Sequence, residues 1–148
     1  MTAFRRRSGH DAGFVSILLA AGLTVIMAII ALSVDFGGRL RSAARAQAIA
    51  ESASRAGAQE LVLGLAMTGQ GGQIDPTVGP VTACNYAATL GITSDLCAAQ
   101  VSSDGQTITV TVSLNYDPTF LELFIPDRLD KAKFTVTGKA TARLINGP

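Results

Sequence analysis

The sequence predicts an α+β protein in which a long N-terminal transmembrane helix extends into an alanine-rich helix and precedes a small disulfide-linked domain. Three observations predict this fold. No charged residue occurs from Ala12 to Val34, good helix formers dominate from Arg39 to Met67, and two later segments alternate apolar with hydroxyl side chains. The domain is expected to contain one short helix and a three-stranded antiparallel sheet.

The chain divides into four predicted parts. Residues 1–13 form a basic leader, 14–67 the transmembrane and extended helix, 68–80 a linker, and 81–148 a small extracytoplasmic α+β domain. Of the 148 residues, 48% are hydrophobic and only 16% are charged, and most of this deficit in charge lies in the apolar run. The net charge of +1 argues against a nucleic-acid partner, which requires a dense basic face.

The apolar run has the length of a membrane-spanning helix. Phe14–Val34 would rise roughly 32 Å as a helix, and the hydrocarbon core of a bilayer is about 30 Å thick. A cleavable signal peptide has a shorter apolar region, of about 7 to 15 residues, so we expect a retained single-pass anchor. Three arginines precede the run and three follow it, so charge alone does not set its orientation.

Beyond the apolar run, small residues recur at helical spacing. Together with one leucine they form a narrow stripe that comprises Ala46, Ala50, Ala53, Gly57, Leu61 and Gly64. Small side chains allow two backbones to approach closely, so the stripe is suited to packing against the helix of a neighbouring subunit. It is equally suited to covering the chain's own domain, and the sequence leaves both interpretations open.

Glycine and proline then interrupt the helical pattern. The glycines of 69–72 together with Pro76 and Pro80 predict an exposed connection. These glycines lack the preceding strand and the Lys-Ser/Thr pair of a phosphate-binding loop, so no phosphate site is predicted. A short helix is expected over Ala83–Leu90, with Gly91 as its C-terminal stop.

The C-terminal part shows the two-residue period of half-buried strands. Apolar and polar residues alternate over 107–116, and a Ser-Asp-Gly turn at 103–105 predicts a partner strand over 96–102. A third strand is expected over 134–144, where Gly138, Ala140 and Ala142 leave room for a helix to pack on one face.

An apolar segment separates the last two strands. We expect its large side chains to close the edge of the sheet, because a small core needs every large side chain that it has. The alternative is an outward-facing contact to another subunit. The side chains concerned are Phe120, Leu121, Phe124 and Ile125.

Cys84 and Cys97 are predicted to form a structural disulfide. The loop that it would close, of about 14 residues, corresponds to roughly 3 kcal/mol of stabilisation. Neither zinc ligation nor a redox motif fits their spacing, because no histidine is near and the C-x-x-C pattern is absent. A disulfide would place this domain outside the cytoplasm, whereas two free cysteines would be compatible with a cytosolic domain.

No constellation of residues indicates catalysis or a bound cofactor or metal. His10, the single histidine, lies in the basic leader, so a histidine-dependent triad is excluded. The carboxylates show neither the spacing of a calcium loop nor that of a hydrolase pair. Asp35 lies at the end of the apolar run, where ionisable groups usually have a partner. We expect it to pair with Arg39 in its own helix, and the alternative is a pair between subunits.

Three linked segments resemble TadE/TadG-like proteins of tight-adherence, Flp-type pilus systems. These are VDFGGRL at 34–40, AARAQ at 43–47 and ASRAGAQEL at 53–61, and the resemblance covers residues 13–61. In that family a transmembrane helix leads into an Asp-Gly-Arg border, which corresponds here to Asp35, Gly37, Gly38 and Arg39. An alanine-rich helix with an Ala-Gly-Ala signature follows.

The resemblance implies a non-enzymatic minor pilin or pilus-assembly component of a type IV-like fibre. It would assemble through its N-terminal helix with other pilin subunits and assembly proteins, at the bacterial cell membrane or in a surface pilus. Leader cleavage would fall between Gly13 and Phe14, but Leu18 replaces the glutamate typical of pilins and favours an uncleaved, TadG-like anchor. The alternative function is a membrane-tethered extracytoplasmic binding module.

Overall fold

A computed structural model describes residues 11–68, 72–118, 120 and 134–145. It contains the helices α1 (Asp11–Ala58), α2 (Leu63–Met67) and α3 (Val78–Thr89), followed by a 3-10 turn at Ser94–Leu96. The strands are β1 (Cys97–Val101), β2 (Thr107–Tyr116) and β3 (Phe134–Arg143). The predicted α+β architecture is therefore confirmed: a long apolar helix comes first, then a short helix and a three-stranded antiparallel sheet.

Helix α1 is continuous through the boundary between its apolar and alanine-rich halves. Its 48 residues correspond to a length of about 72 Å. Gly37 and Gly38 lie inside the helix without interrupting it, because a glycine costs only about 1 kcal/mol in a helix interior. The two halves therefore form one rod.

The helical pattern does not run unbroken to Met67. Helix α1 ends at Ala58. Leu61, which lies before the short helix α2, forms an antiparallel β-bridge with Ile74, which lies after it. The Val62 N–H donates to the Gln73 carbonyl oxygen at 2.9 Å, and the Asp75 N–H donates to the Glu60 carbonyl oxygen at 2.8 Å. These hydrogen bonds pair backbone N–H and carbonyl groups that would bond within the helix if it continued. The chain therefore reverses direction at this point.

The connection before α3 is partly a core segment, in contrast to the exposed connection that its prolines and glycines predict. Ile74 is 1% exposed and belongs to the main hydrophobic cluster. Asp75 starts α3 early, since its Oδ1 accepts the N–H groups of Thr77 at 2.8 Å and Val78 at 3.0 Å. Pro80 lies in the first turn of α3, where a missing N–H breaks no helical hydrogen bond.

The sheet has the order β1-β2-β3 with antiparallel neighbours. One face forms the core: Ile108, Val110 and Val112 of β2 are 0% exposed, and α1 and α3 pack against them. On the other face the hydroxyl-rich positions meet across the strands, as at Thr109 and Thr141, whose oxygens lie 3.4 Å apart. The alternation predicted for β2 and β3 is thus present, with the apolar side inward.

Candidate membrane and assembly interface

The apolar half of α1 is exposed except at Ala31, which is buried. Between Phe14 and Val34, the large apolar side chains are 51–71% exposed. Within the described part of the chain, α1 is the one helix long and apolar enough to cross a membrane. Because exposure of this much apolar surface to water is unfavourable, this half requires lipid or another apolar partner.

The alanine-rich half of α1 is built into the domain. Ala46, Ala50 and Ala53 are 0% exposed, and they lie on the side of the helix that packs against the sheet and α3. Gly57 is buried as well, and a methyl group there would lie 2.7 Å from both the Gly79 carbonyl oxygen and Cδ1 of Ile108. The first four residues of the small-residue stripe therefore pack within the chain itself.

The last two residues of the stripe lie beyond α1. Leu61 is half-buried in its bridge to Ile74. Gly64 is exposed in α2, and a methyl group built there would have no heavy atom within 4 Å. The stripe is thus divided between a tightly packed part and an open end.

Strand β3 approaches the backbone of α1 at Gly138. A methyl group at this position would fall on the backbone atoms of Ala46 and Gln47, which confirms that the small residues of β3 make room for a helix. The Gln47 side chain adds two hydrogen bonds: Nε2 donates to the Lys139 carbonyl oxygen, and Oε1 accepts the Lys139 N–H, both at 3.1 Å. The Gln47 side-chain amide thereby makes the pair of hydrogen bonds to β3 that a neighbouring strand would make. The periodicity of the sequence does not predict this contact.

The border motif connects the helix to the end of the sheet. Asp35 accepts the backbone N–H of Phe120 at 3.2–3.3 Å. The Tyr116 ring occupies the place that a side chain at Gly38 would need, and the Arg39 guanidinium carbon lies 5.8 Å from the centre of the Phe134 ring. Gly37 has open space instead. Gly38 and Arg39 thus contact the ends of β2 and β3, and Asp35 contacts Phe120 in the segment that follows β2. Sequence spacing did not reveal this arrangement.

The remaining candidate residues occupy separate places. Gly13 and Phe14 lie within α1 and are exposed, while cleavage between them remains a prediction. Cys84 and Cys97 form a disulfide that joins α3 to β1, with Cα atoms 5.8 Å apart. His10 and the apolar residues Leu121, Phe124 and Ile125 lie outside the described residues.

The described residues include an open polar groove but no cluster of metal-ligating side chains. No group of three or more His, Cys, Asp or Glu side chains among them is placed to hold a metal ion. An open groove of about 610 Å³ lies between α1 and β3, with Glu51, Arg55, Lys139 and Arg143 among its polar lining residues.

The pKa of Asp75 is lowered by the backbone N–H groups of Val78 and Thr77, which is a helix-capping effect.

Comparison with known proteins places the N-terminal third of the chain near a described family. Residues 13–60 match the family model for Flp pilus-assembly proteins of the TadE/G-like type. The resemblance inferred from the three linked segments is thereby confirmed over nearly the same range. No curated protein and no solved structure matches the chain significantly.

Proposed function

We propose that the protein is a structural minor pilin or pilus-assembly component of a Tad/Flp-type type IV pilus, because residues 13–60 match the family model for TadE/G-like Flp pilus-assembly proteins. It assembles through its N-terminal helix and displays the small C-terminal domain. The match supports a role in pilus assembly, and the family is of a structural rather than an enzymatic type.

One observation carries the proposal: a single continuous helix is exposed and apolar over its first half and integrated into a folded domain over its second half. With a flexible linker, the orientation of the domain would be independent of the orientation of the membrane helix. Here the orientation of the membrane helix fixes the orientation of the sheet, as a subunit that must stack in a defined register requires.

The disulfide supports an extracytoplasmic position for the domain. Disulfides persist in oxidising compartments and are rare in the cytosol. With the apolar half of α1 in the membrane, the domain would lie on the outer side and the N-terminus on the cytoplasmic side. Labelling of the exposed Lys139 in intact cells by a membrane-impermeant amine reagent is the expected result, and protection of Lys139 there would contradict this orientation.

The function is tested by deleting the gene and counting surface pili. Wild-type protein should restore them, whereas a variant with Ile26→Arg in the centre of the apolar half should not, because an arginine there opposes membrane insertion. Unchanged pili in the deletion strain would contradict the proposal and favour the tethered binding module.

The N-terminal residue and the intact mass of protein from the cell envelope distinguish two forms of the proposal. A chain that starts at Phe14 would be a matured subunit destined for the fibre. A start at Met1 or Thr2 would indicate a permanent anchor in the assembly machine. A start beyond Ser33 would contradict the anchor.

A further inference from the structure

We propose that the end of the sheet formed by Tyr116, Phe120 and Phe134 rests in the lipid headgroup layer of the bilayer that α1 spans. This surface, the membrane-facing end, is a second lipid contact in addition to the apolar half of the helix. The inference rests on the proposed membrane anchoring of residues 14–34 and adds to it a position for the folded domain.

The first argument is distance along the helix. Val34 is the last residue of the apolar run, and a helix rises about 6 Å from there to Gly38. Within this one turn the domain already touches the helix, since Asp35 accepts the Phe120 N–H and the Tyr116 ring packs on Gly38. The headgroup layer on each side of a bilayer is about 5–7 Å thick. The end of the sheet therefore falls within it.

The second argument is that the shielded side of α1 begins inside the apolar run. Ala31 is 8% exposed, whereas its neighbours Ile30 and Leu32 are 53% and 66% exposed. Ala31 is four residues before Asp35 and seven before Gly38, so the three lie on one face of the helix. That shielded face leaves no stretch of bare helix between the bilayer and the domain.

The third argument is the chemistry of this end. Tyrosine is enriched where a membrane meets water because its ring is apolar and its hydroxyl polar. Arg39 is exposed beside the Phe134 ring, and an arginine at this level can reach lipid phosphates. The opposite end of β2 lies about 30 Å away and carries exposed Ser103 and Asp104 in a tight turn.

The chain contains no tryptophan, so one introduced tryptophan reports a single position. We would reconstitute full-length Phe120→Trp, Tyr86→Trp and Leu23→Trp variants into phosphatidylcholine–phosphatidylglycerol vesicles that contain lipids brominated near the top of the acyl chains and, in separate samples, near the chain ends that Leu23 would meet. Tyr86 is a matched control because it is 41% exposed, close to the 37% of Phe120, but lies on α3 away from the border. Leu23 reports on the bilayer interior.

The expected result is at least a twofold loss of emission for Phe120→Trp and Leu23→Trp, with Tyr86→Trp almost unchanged. Quenching of Leu23→Trp alone would overturn the inference and leave the anchor intact. Absence of quenching at Leu23 would overturn the anchor, and the inference with it. Phe134→Trp provides a second reporter of the same end should Phe120→Trp fail to fold, and it should be quenched to a similar extent.

Discussion

The two halves of α1 share one helical backbone but differ in exposure: the first half is exposed, whereas one side of the second half is buried in the domain. From Phe14 to Val34 most side chains are large, apolar and exposed, whereas from Gly38 to Gly57 the residues that face the domain are mostly small, with Ile49 as the large buried exception. The first half therefore depends on an environment that the chain does not supply. The second half depends on how closely the sheet and α3 can approach the helix backbone.

This difference shows why hydrophobicity alone does not locate the core of this protein. The most apolar segment contributes almost nothing to the packed domain, while alanines and glycines that bury little area make the closest contacts. Substitutions in the two halves should consequently separate membrane insertion from folding stability.

Ile26→Arg should impair membrane insertion without unfolding the domain. An arginine at the centre of a transmembrane helix costs about 3 kcal/mol of insertion free energy. Ile26 is 59% exposed and far from the sheet, so the Tm of the detergent-solubilised domain should stay unchanged. Insertion is measured by carbonate extraction, with Ile26→Leu as the control. A lower Tm together with normal insertion would contradict the separation of membrane insertion from domain stability.

Removal of the disulfide should destabilise the domain and leave the anchor untouched. The double variant Cys84→Ser, Cys97→Ser loses the constraint between α3 and β1, and the loss should be about 3 kcal/mol of unfolding free energy. Chemical denaturation under non-reducing conditions measures it. Reduced wild-type protein should match the double variant, and a difference between the two would show that the serines themselves perturb the core.

Gly138→Ala should test the close approach of β3 to α1. The added methyl group meets the helix backbone, which cannot move aside as a flexible side chain would. We expect a loss of about 2–3 kcal/mol in the free energy of unfolding. Gly64→Ala is the matched control, because open space surrounds Gly64 and alanine is the better helix former. Equal effects of the two substitutions would refute the close packing.

The outline of the fold could be predicted because it depends on local period and length. The alternation over β2 and β3, the turn at 103–105 and the apolar run each carry their signal within a few residues. The division of the long helix could not be predicted in this way. It depends on pairing between Leu61 and Ile74 across α2, and helix-forming residues continue through the break.

Sequence patterns nominate the residues of the candidate site but predict their contacts only in part. The border motif and the stripe could be identified, yet the partners of Asp35 and Gly38 come from a segment more than 70 residues later. The early start of α3 did carry a signal, since Asp75 followed by Pro76 is a typical helix beginning. The prolines nevertheless predict a connection, because proline is tolerated in the first turn of a helix but disrupts the helix interior.

Ala53→Leu and Ala48→Leu distinguish packing within the chain from packing between subunits. Ala53 is 0% exposed, so leucine there should cost about 1–2 kcal/mol of folding stability whatever the function is. Ala48 is exposed on the opposite side, so leucine should leave the Tm unchanged. If helices pack closely in an assembled fibre, Ala48→Leu should still reduce pilus number. A normal number of pili with Ala48→Leu would indicate that this side of α1 has no close neighbour.

The smallest expected effect concerns the pH dependence of the domain, through Asp75. Two backbone N–H groups at the start of α3 hold its pKa below the ordinary value of 3.8. The carboxylate therefore stabilises the folded state above that value, and the contribution disappears as the pH falls through the lower, folded-state pKa.

Asp75→Asn keeps an oxygen that can accept both N–H groups but cannot titrate. Thermal unfolding between pH 6 and pH 2.5 should show a smaller drop in Tm for Asp75→Asn than for the wild type. Since α1 contributes no carboxylate to this cap, the same difference should persist when the apolar half is held in detergent or in a bilayer. Identical pH profiles for the two proteins would mean that the cap does not couple proton binding to folding.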